Sequence, residues 1–176
     1  MKLRLSLSCL LKYLPVLGCI AILAACTNPP DYPVEPAIEF VSVSKDTLQR
    51  GSLFNDTTFI KFSFTDGDGD IGDDENGDEL RLFLTDSRNG FVNDLRIPYV
   101  LEPGASNGIR GEITARVFTS CCIFPEVPPF GVVDGCLFTW DEMPYDSLTY
   151  DIYIEDRAGN RSNIITTSPI YIRCFE

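Results

Sequence analysis

The chain has 176 residues, a formal net charge of −12 and no histidine. One domain of this size can bury a substantial core. The acidic balance argues against nucleic acid and anionic membrane surfaces as partners, because both are bound through basic patches. The lack of histidine excludes Ser-His-Asp and Cys-His catalysis and histidine-ligated zinc. We therefore predict a protein that is not an enzyme.

The N-terminal segment has the layout of a secretory signal. Basic residues come first, and an apolar run at residues 14–23 follows them. This run is too short to span about 30 Å of hydrocarbon, which takes roughly 20 residues. Small residues then lead into Cys26. The sequence Leu23-Ala24-Ala25-Cys26 resembles the lipobox of bacterial lipoproteins, which implies cleavage after residue 25 and lipidation of Cys26. An ordinary signal peptide that leaves a free thiol, or an uncleaved anchor, is the alternative.

A proline-rich segment follows Cys26. The four prolines within Thr27–Pro36 favour an extended spacer of roughly 30 Å. We therefore predict a signal peptide at 1–25, a lipidated cysteine with its tether at 26–36, and one folded domain at 37–176.

The residues after Cys26 also bear on the membrane face. Thr27 stands where inner-membrane lipoproteins of enteric bacteria carry aspartate, and Asp31 and Glu35 resemble the acidic surface-export signals of Bacteroidota lipoproteins. The resemblance implies a protein held to the outer membrane by its lipid. Exposure on the cell surface is favoured over a periplasm-facing position.

Four further cysteines are consistent with export to an oxidising compartment. They are Cys121, Cys122, Cys136 and Cys174. A bond between the two adjacent cysteines would close a strained ring, so we predict that one of them pairs with Cys136 and the other with Cys174. A metal site is the alternative, but adjacent cysteines lack the CxxC spacing of zinc sites.

Apolar residues alternate with polar ones after residue 36, as in half-buried strands. The alternating sets are Ile60, Phe62 and Phe64; Leu80, Leu82 and Leu84; Leu95, Ile97, Tyr99 and Leu101; Ile113, Ala115 and Val117; Leu148, Tyr150, Ile152 and Ile154; and Ile170, Ile172 and Cys174. With an opening strand at 38–43 and a short one at 137–140, they predict seven or eight strands. This spacing, without intervening helices, predicts an all-β antiparallel sandwich.

Two motifs favour an immunoglobulin-like sandwich. Asp146-Ser-Leu-Thr-Tyr150 resembles the tyrosine corner of such domains. The stretch Tyr150–Asn163 looks like the closing hairpin of bacterial Ig-like surface domains. Together with the lipobox and Asp66-Gly-Asp-Gly-Asp-Ile-Gly72, it is similar to small, mostly uncharacterised lipoproteins of the Bacteroidota. The resemblance covers about a third of the chain and implies fold and location more than activity.

The acidic segment 66–79 is the one motif that carries chemistry. Alternating aspartate and glycine let a curled backbone turn several carboxylates toward one point, and calcium prefers six to eight oxygen ligands. The predicted ligands are the side chains of Asp66, Asp68, Asp70 and Asp74 and the carbonyl of Gly72. We expect a structural calcium ion here, bound with the low affinity of extracellular modules.

The loop is not an EF-hand, because Ile71 and Gly77 replace the required glycine and bidentate glutamate. Other carboxylates could complete the site: Asp73, Asp78, Glu79 or, from the last hairpin, Asp156. The competing interpretation is a solvated acidic loop that never orders an ion.

These features predict a lipid-anchored, non-catalytic binding or structural module. Asp141 and Glu142 could suggest a glycosidase, but adjacent carboxylates point apart and no opposing carboxylate is evident. The proline-rich loop 124–130 is a candidate contact surface for an envelope protein, although it could instead cover the edge of the sandwich. The alternative function is a glycan-binding accessory lipoprotein of an outer-membrane uptake system that uses exposed aromatic residues. Those residues are Tyr99, Phe130, Trp140 and Tyr145.

Overall fold

The computed structural model describes residues 31–52, 55–100, 108–126 and 129–175, and these ranges form an all-β domain without a helix. The predicted signal peptide and Cys26 lie outside the described residues. The strands are β1 (Ala37–Val43), β2 (Thr47–Gln49), β3 (Thr57–Asp66), β4 (Leu82–Asp86), β5 (Val92–Leu95), β6 (Ile109–Phe118), β7 (Tyr145–Leu148), β8 (Tyr150–Ile154), β9 (Ile165–Thr166) and β10 (Ile170–Arg173).

The strands form the two layers of a sandwich. One layer has the order β1-β3-β6 and is antiparallel throughout. The other consists of β5-β4-β8-β9 and β2-β10-β7, which are connected because β7 continues into β8 and β9 continues into β10. Among the strands of the described ranges, only β2 pairs in parallel, with β10. This is the ABE and C′CFG arrangement of immunoglobulin-like sandwiches, so the predicted fold class is confirmed.

The core lies between the two layers. On most strands, the period-two pattern correctly predicted which residues are buried. Phe62 of β3 and Ile152 of β8 are fully buried, and their same-face neighbours are buried as well. Each such side chain contributes about 1.5–3 kcal/mol by leaving water. Leu80 departs from the pattern because it precedes β4 and is 46% exposed.

The count of seven or eight strands was wrong, since the described ranges contain ten. One reason is that Thr149 interrupts a predicted strand: its backbone bonds to Ser87, which separates β7 from β8. The predicted strand at 137–140 is also absent. The amides of Leu137 and Phe138 instead bond to the carbonyl of Asp134, which makes this segment a turn.

The two ends of the sandwich carry different features. At the acidic end, Ala37 lies opposite Thr65 and Ile109 opposite Asp66, so the chain enters the domain beside the acidic loop. A Cβ at Gly67 would overlap the carbonyl oxygen of Tyr32, which shows how closely the entering chain approaches that loop.

At the disulfide end, Phe118 lies opposite Thr57, and the chain continues into the adjacent cysteines. Cys121 pairs with Cys136 across a Cα–Cα distance of 4.6 Å. Cys122 pairs with Cys174 across 6.0 Å. Each adjacent cysteine therefore has a different partner, which is the arrangement that we expected.

Candidate metal site

The acidic loop turns sharply at the end of β3 and curls around one carboxylate. Asp66 is the last residue of β3 and is fully buried. Its Oδ2 accepts hydrogen bonds from the backbone amides of Gly69 and Asp70, each 2.9 Å long. Gly69 has a φ of 80°, a conformation that costs little only for glycine. The Asp-Gly alternation therefore serves to close this turn.

The hairpin after β8 packs directly against the acidic loop. The amide of Arg157 donates to the carbonyl of Asp70 over 3.2 Å, and the amide of Ala158 donates to Asp70 Oδ2 over 2.9 Å. Asp156 is fully buried, and its carboxylate accepts from the backbone and side chain of Asn160 at 2.7 and 2.8 Å. These bonds hold two segments that are distant in sequence against each other.

Four carboxylates meet at this junction. Asp66, Asp68, Asp70 and Asp156 each place one oxygen within 4.8 Å of the others. Asp66 Oδ1 and Asp70 Oδ1 are buried and have no hydrogen-bond partner among the described residues. Leaving a buried acceptor unsatisfied costs about 1–3 kcal/mol, and more when the group is charged. The two unpaired oxygens are therefore free to accept a cation, a proton donor or water.

The electrostatics of the site lead to the same conclusion. Burial, together with the neighbouring charges of Asp68 and Asp70 and against the backbone hydrogen bonds, raises the pKa of Asp66 to about 6. Burial also raises the pKa of Asp70, as do the charges of Asp156 and Asp68, while Arg157 acts in the opposite direction. A proton or a cation must relieve this repulsion, and oxygen-only ligands suit a hard divalent cation.

Three of the five predicted ligands come together in this cluster. Asp74 does not join them: it is exposed, and its carboxylate lies 3.8 Å from the guanidinium of Arg157. Gly72 is buried with a φ of 92° and shapes the end of the loop. Asp156 is the fourth member of the cluster instead. The sequence had suggested it as an additional ligand, because an Ig-like sandwich brings the acidic loop and the last hairpin to the same end.

Asp73 has a structural role in the same segment. It is 1% exposed, and its carboxylate accepts from the amides of Asp74 and Glu79 at 2.9 and 3.1 Å. Arg96 neutralises it at 3.0 Å. Asp73 is therefore satisfied by the protein and closes the loop from Asp74 to Glu79.

The disulfide end carries the candidate contact surface. Phe124 packs against Phe138 and Trp140, with ring centroids 5.8 and 6.3 Å apart, and Phe130 packs against Phe138 at 5.8 Å. Phe130 is 67% exposed. Tyr99, by contrast, lines a groove with residues near the acidic end, so the aromatic residues predicted for a glycan do not form one row.

Comparison with known proteins gives no relative: no protein-family model, curated protein or solved structure matches the chain. Within the described ranges, no helix has the length and apolar character that crossing a membrane requires.

Proposed function

We propose that the protein is a lipid-anchored lipoprotein of a bacterial outer membrane, exposed on the cell surface, whose sandwich is a non-catalytic binding or structural module stabilised by one calcium ion. The N-terminal sequence and its lipobox support the anchor.

The observation that carries the calcium assignment is the group of four carboxylates with two unsatisfied buried oxygens. Calcium accepts six to eight oxygens in flexible geometry, so four carboxylates and water suffice. Magnesium is less suitable, because it demands a rigid octahedral site and keeps several waters. The ion would join the loop after β3 to the hairpin after β8, and its role is structural.

Thermal unfolding in chelator and in millimolar calcium tests this assignment. A ligand present at 100 times its dissociation constant adds about 2.7 kcal/mol, which raises the melting temperature of a domain of this size by several degrees. Asp68→Asn removes one of the four clustered carboxylates, so it should abolish most of the calcium-induced rise in melting temperature. Because Asp68 is exposed, we expect the variant to fold like the wild type. Asp94→Asn on β5 is the matched control and should respond to calcium like the wild type. A wild-type melting temperature that calcium does not change, or that magnesium raises equally, would contradict the assignment.

The lipid anchor has a separate test. Mass spectrometry of the protein from bacterial membranes should give an N-terminal peptide that begins at acylated Cys26, and Cys26→Ser should release the protein from the membrane fraction. An unmodified Cys26, or a Cys26→Ser protein that stays in the membrane fraction, would overturn the proposed anchoring.

Glycan binding is the second candidate function. The exposed ring of Phe130, supported by Phe124 and Phe138 at the disulfide end, is the observation that favours it. An array of neutral oligosaccharides is the appropriate screen. Binding that Phe130→Ala abolishes would favour this alternative, and the absence of binding would leave the contact surface to a protein partner.

A further inference from the structure

The strand β6 has one edge without a strand partner. It pairs with β3 over its whole length, and no other strand within the described ranges pairs with it. A cavity of about 670 Å³ is lined by all residues from Arg110 to Arg116 and, opposite them, by the segment 95–100. Successive strand residues point to opposite faces, so a cavity lined by an unbroken run must lie along the edge of the strand.

The backbone along this edge has no partner strand among the described residues. Apart from the ladder with β3, no backbone hydrogen bond among the described residues involves residues 110–116. A long edge with free N–H and C=O groups is a template for another strand, and natural proteins usually cover or shorten such edges. The edge of β6 is ten residues long.

The groove is basic although the chain is acidic overall. It contains three guanidinium groups, those of Arg96, Arg110 and Arg116, and one carboxylate, that of Glu112, which pairs with Lys61. Arg96 pairs with Asp73, and Arg116 lies 4.8 Å from the centre of the Phe118 ring. Within the described part of the chain, Arg110 is the one basic residue whose side chain has no ion pair, hydrogen bond or ring contact. A protein with a net charge of −12 therefore keeps an unpaired cation in this groove.

The two faces of β6 differ in chemistry. Arg110 and Arg116 lie on the exposed outer face, with Glu112 between them paired to Lys61, while Ile113 and Ala115 lie on the face toward the core. A strand added at this edge would extend both the outer face and the core-facing side of the β1-β3-β6 layer. It would present acidic side chains beside the arginines and apolar side chains beside Ile113 and the partly buried Leu95 and Val100.

We propose that the free edge of β6 binds an extended peptide segment of a protein partner, in which acidic and apolar residues alternate. The partner would add a fourth strand to the β1-β3-β6 layer, with main-chain hydrogen bonds for affinity and the arginines for selectivity. Arg110 and Arg116 are about 20 Å apart along a strand, so the segment spans about seven residues and carries more than one acidic group. Neither the calcium ion nor the lipid anchor is needed for this interaction.

Fluorescence anisotropy with defined peptides tests the proposal on the full chain, purified in a nonionic detergent. The probe is a labelled peptide that alternates valine and glutamate. One control peptide carries N-methyl groups on alternate amides, which removes strand pairing and keeps the charge. A second control replaces glutamate with lysine. The probe should bind, and both control peptides should fail to bind.

The protein variants test the role of the arginines. R110E/R116E should bind the probe at least about tenfold more weakly, since opposite charges become like charges. Arg173→Glu on β10, outside the groove, is the matched control and should bind like the wild type. Binding of the probe should also slow hydrogen exchange at the alternate amides of residues 110–116 that point away from β3.

Four results would overturn the proposal. The first is no binding of the probe at millimolar concentration, and the second is equal binding of the N-methylated peptide. The third is slow exchange, in the free protein, of the alternate amides of 110–116 that point away from β3, which would mean that the chain itself covers the edge. The fourth is a dimer that R110E/R116E dissociates, which would assign the edge to a second copy.

Discussion

A carboxylate oxygen of Asp66 lies within 4.8 Å of one of Asp156, although Asp66 ends β3 and Asp156 follows β8. The two residues belong to different layers of the sandwich, and both are fully buried. Two buried like charges in such proximity repel strongly unless a cation neutralises them. A bound ion would therefore connect the two layers at the end where the chain enters the domain.

The stabilisation by calcium should depend on pH. The pKa of Asp66 is raised to about 6 in the folded protein, against about 3.9 in the unfolded chain. In chelator, the stability that protonated Asp66 contributes is present below about pH 4 and is lost as the pH rises through about 6. Calcium replaces the proton, so its effect on the melting temperature should be small near pH 5 and larger at pH 7. An effect of equal size at both values would contradict this linkage.

Calcium should also protect the acidic loop from proteolysis. Glu75 and Glu79 are exposed within it and are sites for a glutamate-specific protease. With the ion bound, the loop and the hairpin open less often, so cleavage at both residues should slow. Glu126 at the disulfide end is exposed as well and serves as an internal control. Equal slowing at Glu126 would show that calcium acts on the protease or on the whole fold.

Arg88 stabilises the disulfide end through a buried ion-pair network. Its guanidinium lies 2.7 Å from both Asp86 and Asp146, and the three side chains are 7–8% exposed. It also donates to Ser120 Oγ at 2.8 Å. Arg88→Ala leaves two buried carboxylates without their cation and should cost about 3–5 kcal/mol in urea unfolding.

The conservative variant Arg88→Lys separates charge from geometry. Lysine keeps the charge but cannot reach both carboxylates in the same way, so an intermediate loss is expected. Arg173→Ala, whose guanidinium lies 5.5 Å from the centre of the Phe175 ring, should cost less than about 1 kcal/mol. Equal losses for Arg88→Ala and Arg173→Ala would show that the network does not stabilise the fold.

The two disulfides should contribute unequally. Cys122 and Cys174 are buried and are 52 residues apart, whereas Cys121 and Cys136 are 15 residues apart. The chain-entropy model gives about 4 kcal/mol for the longer loop and about 3 kcal/mol for the shorter one. Replacing Cys122 and Cys174 with alanine also leaves a gap in the core. That double variant should therefore unfold at a lower urea concentration than Cys121→Ala/Cys136→Ala, and the reverse order would contradict this ranking.

The sequence predicted the parts of the fold that depend on local patterning. Alternation around Phe62 and Ile152 was sufficient, because one face of each strand is buried against the opposite layer. The three-residue strand β2 has too few positions for a pattern, and only its parallel pairing with β10 defines it. The turn at 137–140 depends on hydrogen bonds to Asp134, which local hydrophobicity does not report.

The candidate site was predictable only in part, for a related reason. Asp66, Asp68 and Asp70 are close in sequence, so their spacing alone indicated convergence. Asp156 joins them through tertiary structure, and the signal for it was the Ig-like topology, which brings both loops to one end. Asp74 resembled a ligand by its spacing in the loop, but it lies beside Arg157 instead.

A crystal structure of the protein grown in millimolar calcium tests the central claim most directly. We predict a density peak between the carboxylates of Asp66, Asp68, Asp70 and Asp156, with metal–oxygen distances of about 2.3–2.6 Å and six to eight oxygen ligands. Asp66 Oδ1 and Asp70 Oδ1, which lack hydrogen-bond partners, should both coordinate the ion. Carboxylates that instead share protons or bind only water at neutral pH in that crystal would contradict the account.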